Sequence, residues 1–178
     1  MLLRKINAGL SLLSTVLLLD HVIFNAVRML SRGSIEKTVN FMPWALTAIV
    51  ALHAFISIDI VVSDHMNSEK TKQKSKNYLK MNLPTIIQRA SGVCMVIFAG
   101  LHIAGATGAL QPPPAVHAIL PTLFFAVALA HTAISTGKAF ITLGIGNAKT
   151  VKVVDVMVKV VCAIALIAAV AGFYLYLV

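Results

Sequence analysis

The sequence from Val116 to Thr142 reads VHAILPTLFFAVALAHTAISTGKAFIT, and His131 lies in its interior. Nearly all of this stretch is apolar or small, and it is longer than the roughly 20 residues that a helix needs to cross about 30 Å of hydrocarbon. Four similar stretches run approximately from Ile6 to Met29, Met42 to Val62, Leu83 to Ala106 and Val153 to Leu177. The sequence therefore predicts an all-α fold, an integral membrane bundle of five transmembrane helices.

The composition agrees with a membrane protein. Hydrophobic residues make up 58% of the chain and charged residues only 12%, and the mean hydropathy is +0.89. Little chain remains outside the five stretches, so we expect one membrane-anchor domain over residues 1–178 and no soluble domain. The first stretch is too long for a cleavable signal and has no small-residue cleavage site, so we expect it to be retained. Cys94 and Cys162 fall inside spans, where packing is their expected role.

The positive charges predict the topology. The net charge is +9, and most of the cations fall on one side of the membrane if every span crosses. They are Arg4, Lys5, Lys70, Lys72, Lys74, Lys76, Lys80, Lys138, Lys149 and Lys152. The positive-inside rule then puts the amino terminus in the cytoplasm and the carboxyl terminus outside. This placement of the charges favours a multi-pass protein of a bacterial cytoplasmic membrane over a protein that binds nucleic acid. The lysine-rich second loop either sets topology and contacts anionic lipid or docks a cytoplasmic subunit.

Four histidines lie inside predicted spans, one in each of the first four. They are His21, His53, His102 and His131. Ionisable residues inside the bilayer are costly and usually face the bundle interior, which makes them candidates for function. A zinc site is poorly supported because no cysteine or carboxylate cluster accompanies them. Imidazole pairs without other ligands suit six-coordinate haem iron, so we predict that these four side chains are metal ligands.

Depth along the helices groups the histidines into two pairs. With a rise of about 1.5 Å per residue from the cytoplasmic end, His131 lies at roughly 10 Å and His53 at roughly 16 Å. By the same count His21 lies at roughly 21 Å and His102 at roughly 27 Å. This order favours His53 with His131 toward the cytoplasm and His21 with His102 toward the outside. Depth alone leaves His21 with His53 open.

Helical phase adds charged residues to the predicted site. In the first helix one stripe contains Ser11, Ser14, His21, Asn25 and Arg28, and in the fourth His117, His131, Ser135 and Lys138 align. Arg28 and Lys138 each follow a histidine by two turns toward the nearer membrane surface. We predict that each reaches the carboxylates of a bound haem. The alternative is that both side chains snorkel to the interface.

One segment carries a resemblance to a known family. Gln88-Arg89-Ala90-Ser91-Gly92 is followed by His102, thirteen residues after Arg89, and Gly144 follows His131 by the same interval. With four histidines on helices one to four, these motifs resemble the dihaem cytochrome b subunit of succinate:quinone oxidoreductases and fumarate reductases. Two positions depart from the family pattern. Ser135 stands where members carry glycine, and Leu129 stands where some fumarate reductases carry a glutamate for proton transfer, so no proton route of that kind is expected.

The resemblance implies a function that the chain does not perform alone. It implies two haem b groups, with Arg89 and Ser91 beside them, and soluble partners, an FAD-containing subunit and an iron-sulfur subunit. The chain would be the non-catalytic membrane subunit. It would pass electrons from the iron-sulfur subunit through the cytoplasmic haem and then the outer haem to menaquinone or another quinone. Glu36 and His117, ionisable residues at the outer end, are the quinone candidates. The direction, succinate oxidation or fumarate reduction, stays open.

Three other functions remain open at this point. One is another quinone-linked dihaem cytochrome b, such as the anchor of a nitrate reductase or hydrogenase, which the Gln88 to Gly92 segment disfavours. A second is a small proton-coupled transporter or channel in which Asp20, Asp59 and the histidines form a relay. A third is a purely structural assembly protein, which would leave four buried histidines without explanation.

Overall fold

The computed structural model describes residues 2–31, 41–70, 83–111 and 113–177, which form five α-helices and no strand. The helices are α1 (Leu2–Leu30), α2 (Phe41–Lys70), α3 (Leu83–Ala106), α4 (Pro114–Leu143) and α5 (Ala148–Leu177). Each is long and apolar enough to cross a membrane. The predicted all-α architecture with five spans is therefore confirmed for the described residues, and these spans identify a multi-pass membrane protein.

Most helix bounds lie close to the predicted ones, and the exceptions have local causes. Helix α2 continues past Val62 to Lys70, and the exposed pair Arg4–Asp64 (2.7 Å) ties this polar extension to α1. Helix α5 begins at Ala148 rather than near Val153. The Asn147 side-chain oxygen accepts the Thr150 N–H at 2.9 Å, which satisfies an amide of the first turn.

A tight turn joins α4 to α5. Gly144 ends α4 with φ 71°, a left-handed conformation that glycine adopts without steric cost. The N–H of Gly144 donates to the Ile141 carbonyl, and the N–H of Ile145 donates to the Phe140 carbonyl, both at 3.1 Å. Only a few residues separate the two helices, so α5 runs back along α4 in the opposite direction.

Helices α1, α4 and α5 form the centre of the bundle, and each of the three packs against the other two. The core cluster joins Leu18 and Val22 of α1 to small and apolar residues of the other two helices, namely Ala128, Leu129, Cys162, Ala165 and Ala169. Small residues allow close backbone approach, which is how helices associate where lipid removes the hydrophobic driving force. Cys162 is buried there as expected, whereas Cys94 is exposed on α3.

Helices α2 and α3 are attached at the sides of this three-helix centre. α2 packs against α1 and α3 packs against α4. No residue within the most apolar stretch of either helix is buried, as far as the structure describes them. Their outward side chains are large and apolar, as in Phe55, which is 72% exposed. This apolar outer surface is what contact with lipid requires.

Gly172 gives a test of the central packing. A Cβ at this position would lie 3.2 Å from the Ala26 carbonyl oxygen and 3.3 Å from the Met29 Cβ. Gly172→Ala should therefore push α5 from α1 and destabilise the protein by about 1–3 kcal/mol. Thermal unfolding of the detergent-solubilised protein measures the effect. Gly9→Ala is the control, since nothing lies within 4 Å of its added Cβ, and equal melting temperatures for both variants would contradict the packing described.

Candidate cofactor-binding site

The four histidines lie on α1 to α4, and two of these helices, α2 and α3, are attached at the sides of the bundle. Among the described residues α2 and α3 are not closely packed against each other, and neither packs closely against α5. The region between α2 and α3, flanked by α1 and α4, is called the α2–α3 groove below. It separates the helix that carries His53 from the helix that carries His102.

The ring of His53 is oriented by α1. Its Nδ1 lies 3.3 Å from the backbone carbonyl oxygen of Asn7. The Asn7 side-chain amide donates to Ser57 Oγ at 3.0 Å, one turn along α2 from His53. A carbonyl oxygen can only accept a hydrogen bond, so the Nδ1 of His53 carries the proton. The lone pair of the neutral ring is then on Nε2.

The ring of His131 is oriented by α3. Its Nδ1 lies 2.9 Å from Ser91 Oγ, and Ser91 Oγ is also 3.1 Å from the Gln88 carbonyl oxygen. A hydroxyl can accept from Nδ1–H or donate to Nδ1, so this contact holds the ring in place for either tautomer. Gly92 lies against the same ring, where an added Cβ would be 3.3 Å from Cε1.

The structure brings the predicted inner pair together. His53 and His131 are both half-buried, and they are near enough for a direct electrostatic interaction. Each has its Nδ1 in contact with a neighbouring helix. Two imidazole nitrogens, one from α2 and one from α4, are the donor set of a bis-imidazole metal complex.

The predicted outer pair lies in the other half of the bundle. The His102 ring is 5.3 Å from the Phe124 ring and 6.3 Å from the Phe125 ring, measured between centroids. His21 neighbours Val22, a member of the core cluster against which both phenylalanines pack. Asn25 lies one turn from His21, with its amide nitrogen 3.5 Å from the His21 Nδ1.

The charged residues of the predicted site, Lys138 and Arg28, lie at different ends of the bundle. Lys138 is half-buried, and its Nζ donates to Gln88 Oε1 at 2.5 Å, one turn from the Ser91–His131 contact. Arg28 is half-buried in the last turn of α1. Arg89 is exposed, about 100° around α3 from Gln88. Ser91 thus contacts His131, a predicted ligand. The described contacts of His131 do not include Arg89.

The two quinone candidates are not placed. Glu36 lies outside the described residues, and His117 lies in α4 with a side chain that is also outside them. In the described part of the chain, no group of three or more His, Cys, Asp or Glu side chains could hold a metal ion.

The polar stripe of α1 lies beside the packed face of this helix, whereas the helical phase predicted that the stripe faces the bundle interior. Ser11 is buried in the packed face of α1. Ser14 and His21 are only half-buried, so the stripe flanks that face rather than forming it. Asn7 belongs to the stripe and was missed, as was Ser57. The signals were present, because Asn7 precedes Ser14 by seven residues and Ser57 follows His53 by four.

Comparison of the chain with protein-family models, with curated proteins and with solved structures finds no match. The function is therefore argued from the residues and their geometry.

The contact between Asn7 and Ser57 gives a second prediction. An interhelical hydrogen bond in a membrane protein contributes about 0.6 kcal/mol on average and up to about 1.7. A double-mutant cycle with Asn7→Ala and Ser57→Ala should return a coupling energy in this range, measured from the free energy of unfolding in mixed micelles. Ser14→Ala paired with Ser57→Ala is the control, since Ser14 Oγ donates at 2.7 Å to the Leu10 carbonyl of its own helix. Zero coupling for Asn7 with Ser57 would contradict the contact.

Proposed function

We propose that this chain is the dihaem cytochrome b anchor of a succinate:quinone oxidoreductase or fumarate reductase. One observation carries the proposal. The Nδ1 atoms of His53 and His131 each lie within hydrogen-bond distance of an oxygen on a neighbouring helix, at 3.3 Å and 2.9 Å. Histidines that ligate a metal through one ring nitrogen almost always donate the other N–H in this way, which fixes the ring and raises its basicity.

The donor set fits haem iron better than a bare metal ion. Haem iron takes its four equatorial ligands from the macrocycle and needs only two axial nitrogens from protein. A structural zinc site would need four protein ligands. Gly92 has no side chain, so α3 packs directly against the His131 ring and holds it in place. The inner haem would be held by His53 and His131.

The outer haem would be held by His21 and His102. The depth of the two histidines, counted along their helices, favours this pairing. Phe124 and Phe125 beside His102 supply an apolar, aromatic wall. An apolar surrounding excludes water from a cofactor and helps to set its potential.

The charged residues would hold the haem carboxylates. Lys138 is near the inner pair and Arg28 near the outer end, so each would serve a different haem. Arg89 and Ser91 are the remaining cofactor-binding candidates. Ser91 has a direct role as the hydrogen-bond partner of His131. When bound, the haem groups supply one-electron transfer, and the chain orients them and tunes their electrostatics.

The membrane setting follows from the charge pattern. The amino terminus would be cytoplasmic and the carboxyl terminus outside, in a bacterial cytoplasmic membrane. An FAD subunit and an iron-sulfur subunit would dock at the lysine-rich end. Electrons would pass from there to the inner haem, the outer haem and menaquinone or another quinone. Glu36 and His117 remain candidates for quinone contact.

The proton-relay alternative finds less support. Asp20 and Asp59 are both exposed on the helix surfaces. The partners of His53 and His131 are the Asn7 carbonyl and the Ser91 hydroxyl rather than carboxylates. A relay would place ionisable groups within hydrogen-bond reach of one another.

We predict two haem b signals per chain in the reduced-minus-oxidised spectrum of the purified protein. His53→Ala and His131→Ala should remove one of these signals, and His21→Ala and His102→Ala the other, because each iron needs both of its axial nitrogens. The unaffected haem should keep its spectrum and potential.

Membrane assembly of each variant is checked by size-exclusion chromatography, and Ser14→Ala is the matched control on the α1 stripe. Loss of one common signal in His21→Ala and His53→Ala would refute the pairing. Two normal haems in all four variants, or no haem in the unmutated protein, would refute the cofactor assignment.

We also predict that affinity purification from the source membrane recovers an FAD subunit and an iron-sulfur subunit with succinate:quinone activity. The isolated chain should have no such activity, because it has neither a flavin-binding motif nor a cysteine cluster. Two haems with a different soluble partner, such as a hydrogenase, would favour another dihaem cytochrome.

A further inference from the structure

A second site is formed by α4 and α5, on a different side of the bundle from the α2–α3 groove. An open cleft of about 620 Å³ lies between the last turns of α4 and the first turns of α5. Its walls include the apolar side chains of Ile134, Phe140, Ile141 and Val151, and its cations are Lys138 and Lys152. A mostly apolar cleft of this size with a few converging polar groups is typical of a ligand site.

The two lysines lie at the depth of lipid headgroups. Lys138 is five residues before the end of α4 at Leu143, about 7.5 Å along the helix axis, and Lys152 is four residues after the start of α5 at Ala148, about 6 Å. A lysine so near a span end extends its ammonium group to the interface while its methylenes stay against apolar surface. The cleft therefore presents positive charge at the interface and apolar walls below it.

The one carboxylate of the cleft is already compensated. Asp155 packs on Gly137, where an added Cβ would lie 2.8 Å from its Oδ1, and it pairs with Lys159 at 2.5 Å. Lys152 takes part in none of the ion pairs found in the described residues. The local charge around the cleft is thus net positive, which favours an anionic ligand.

We propose that this cleft binds an anionic phospholipid. The phosphate would lie at Lys152, with Lys138 at the edge of the cleft adding positive charge, and an acyl chain would follow Ile134 and Ile141. Ile141 is 69% exposed, so the cleft is continuous with the lipid-facing surface. A soluble anion would pair with the lysines but would make no contact with the apolar wall of the cleft. This site needs no histidine, and Lys152 is the cation of the cleft that the haem assignment does not use.

The test uses the intact protein in detergent, titrated with phosphatidylglycerol and separately with phosphatidylcholine, with native mass spectrometry as the readout. Phosphatidylglycerol should bind more tightly. Lys152→Gln should weaken its binding about fivefold, the effect of removing one lysine from an anionic surface, and Lys152→Glu should weaken it further. Lys5→Gln is the matched control, an exposed lysine in the first turn of α1 at the same end of the bundle, and it should bind as the unmutated protein does.

Lys138 is left unchanged because its ammonium group also contacts Gln88. Equal affinity for the two lipids would overturn the proposal. So would an unchanged affinity in a folded Lys152→Glu protein. Displacement of phosphatidylglycerol by an equal concentration of glycerol phosphate would also overturn it, because the cleft would then recognise phosphate without the acyl chain.

Discussion

Hydrocarbon provides no hydrogen-bond partner, so every polar group that this chain carries into the membrane must find one within the protein. In the described residues no buried side-chain nitrogen or oxygen lacks a partner. The contacts between helices meet this demand: Asn7 bonds Ser57, His53 bonds the Asn7 carbonyl, His131 bonds Ser91, and Lys138 bonds Gln88. Helices α2 and α3 have few buried apolar residues, so these polar contacts set their register against α1 and α4.

The same hydrogen bonds define the chemistry of the histidines. An imidazole that donates through Nδ1 presents its lone pair at Nε2. The partner oxygens belong to a backbone carbonyl and a hydroxyl group, which stay neutral at any physiological pH. The ring positions are also restrained, because Gly92 allows α3 to approach His131 closely. The hydrogen bonds that satisfy the polar groups of the helices are thus the same ones that hold the two histidine rings in place.

Helix α4 connects the two proposed sites. One edge of α4 faces Gln88 and Ser91 of α3, and Lys138 and His131 lie on this edge, beside the α2–α3 groove. Its edge at Gly137, about 100° around the helix from Lys138, meets Asp155 of α5 and forms one wall of the cleft. Lys138 lies at the boundary of the two sites, since it contacts Gln88 and also lines the cleft. A central helix packed on both sides can serve two sites at once, since residues a few positions apart along it face different neighbours. The cofactor groove and the lipid cleft are therefore neighbours at the lysine-rich end.

The sequence alone determined the five spans, their approximate bounds and the four histidines within them. These are local properties, because hydropathy and helix length decide membrane insertion before any tertiary contact forms. Only the tertiary structure decided which side chains meet. It showed that Ser11 lies in the packed face and that Arg89 and Cys94 are exposed to the surroundings of the bundle. It also showed that Asn7 and Ser57 are hydrogen-bond partners across two helices. Helical periodicity shows which residues share a face, but the choice of neighbour depends on small residues such as Gly92, Gly137 and Gly172 that permit close approach.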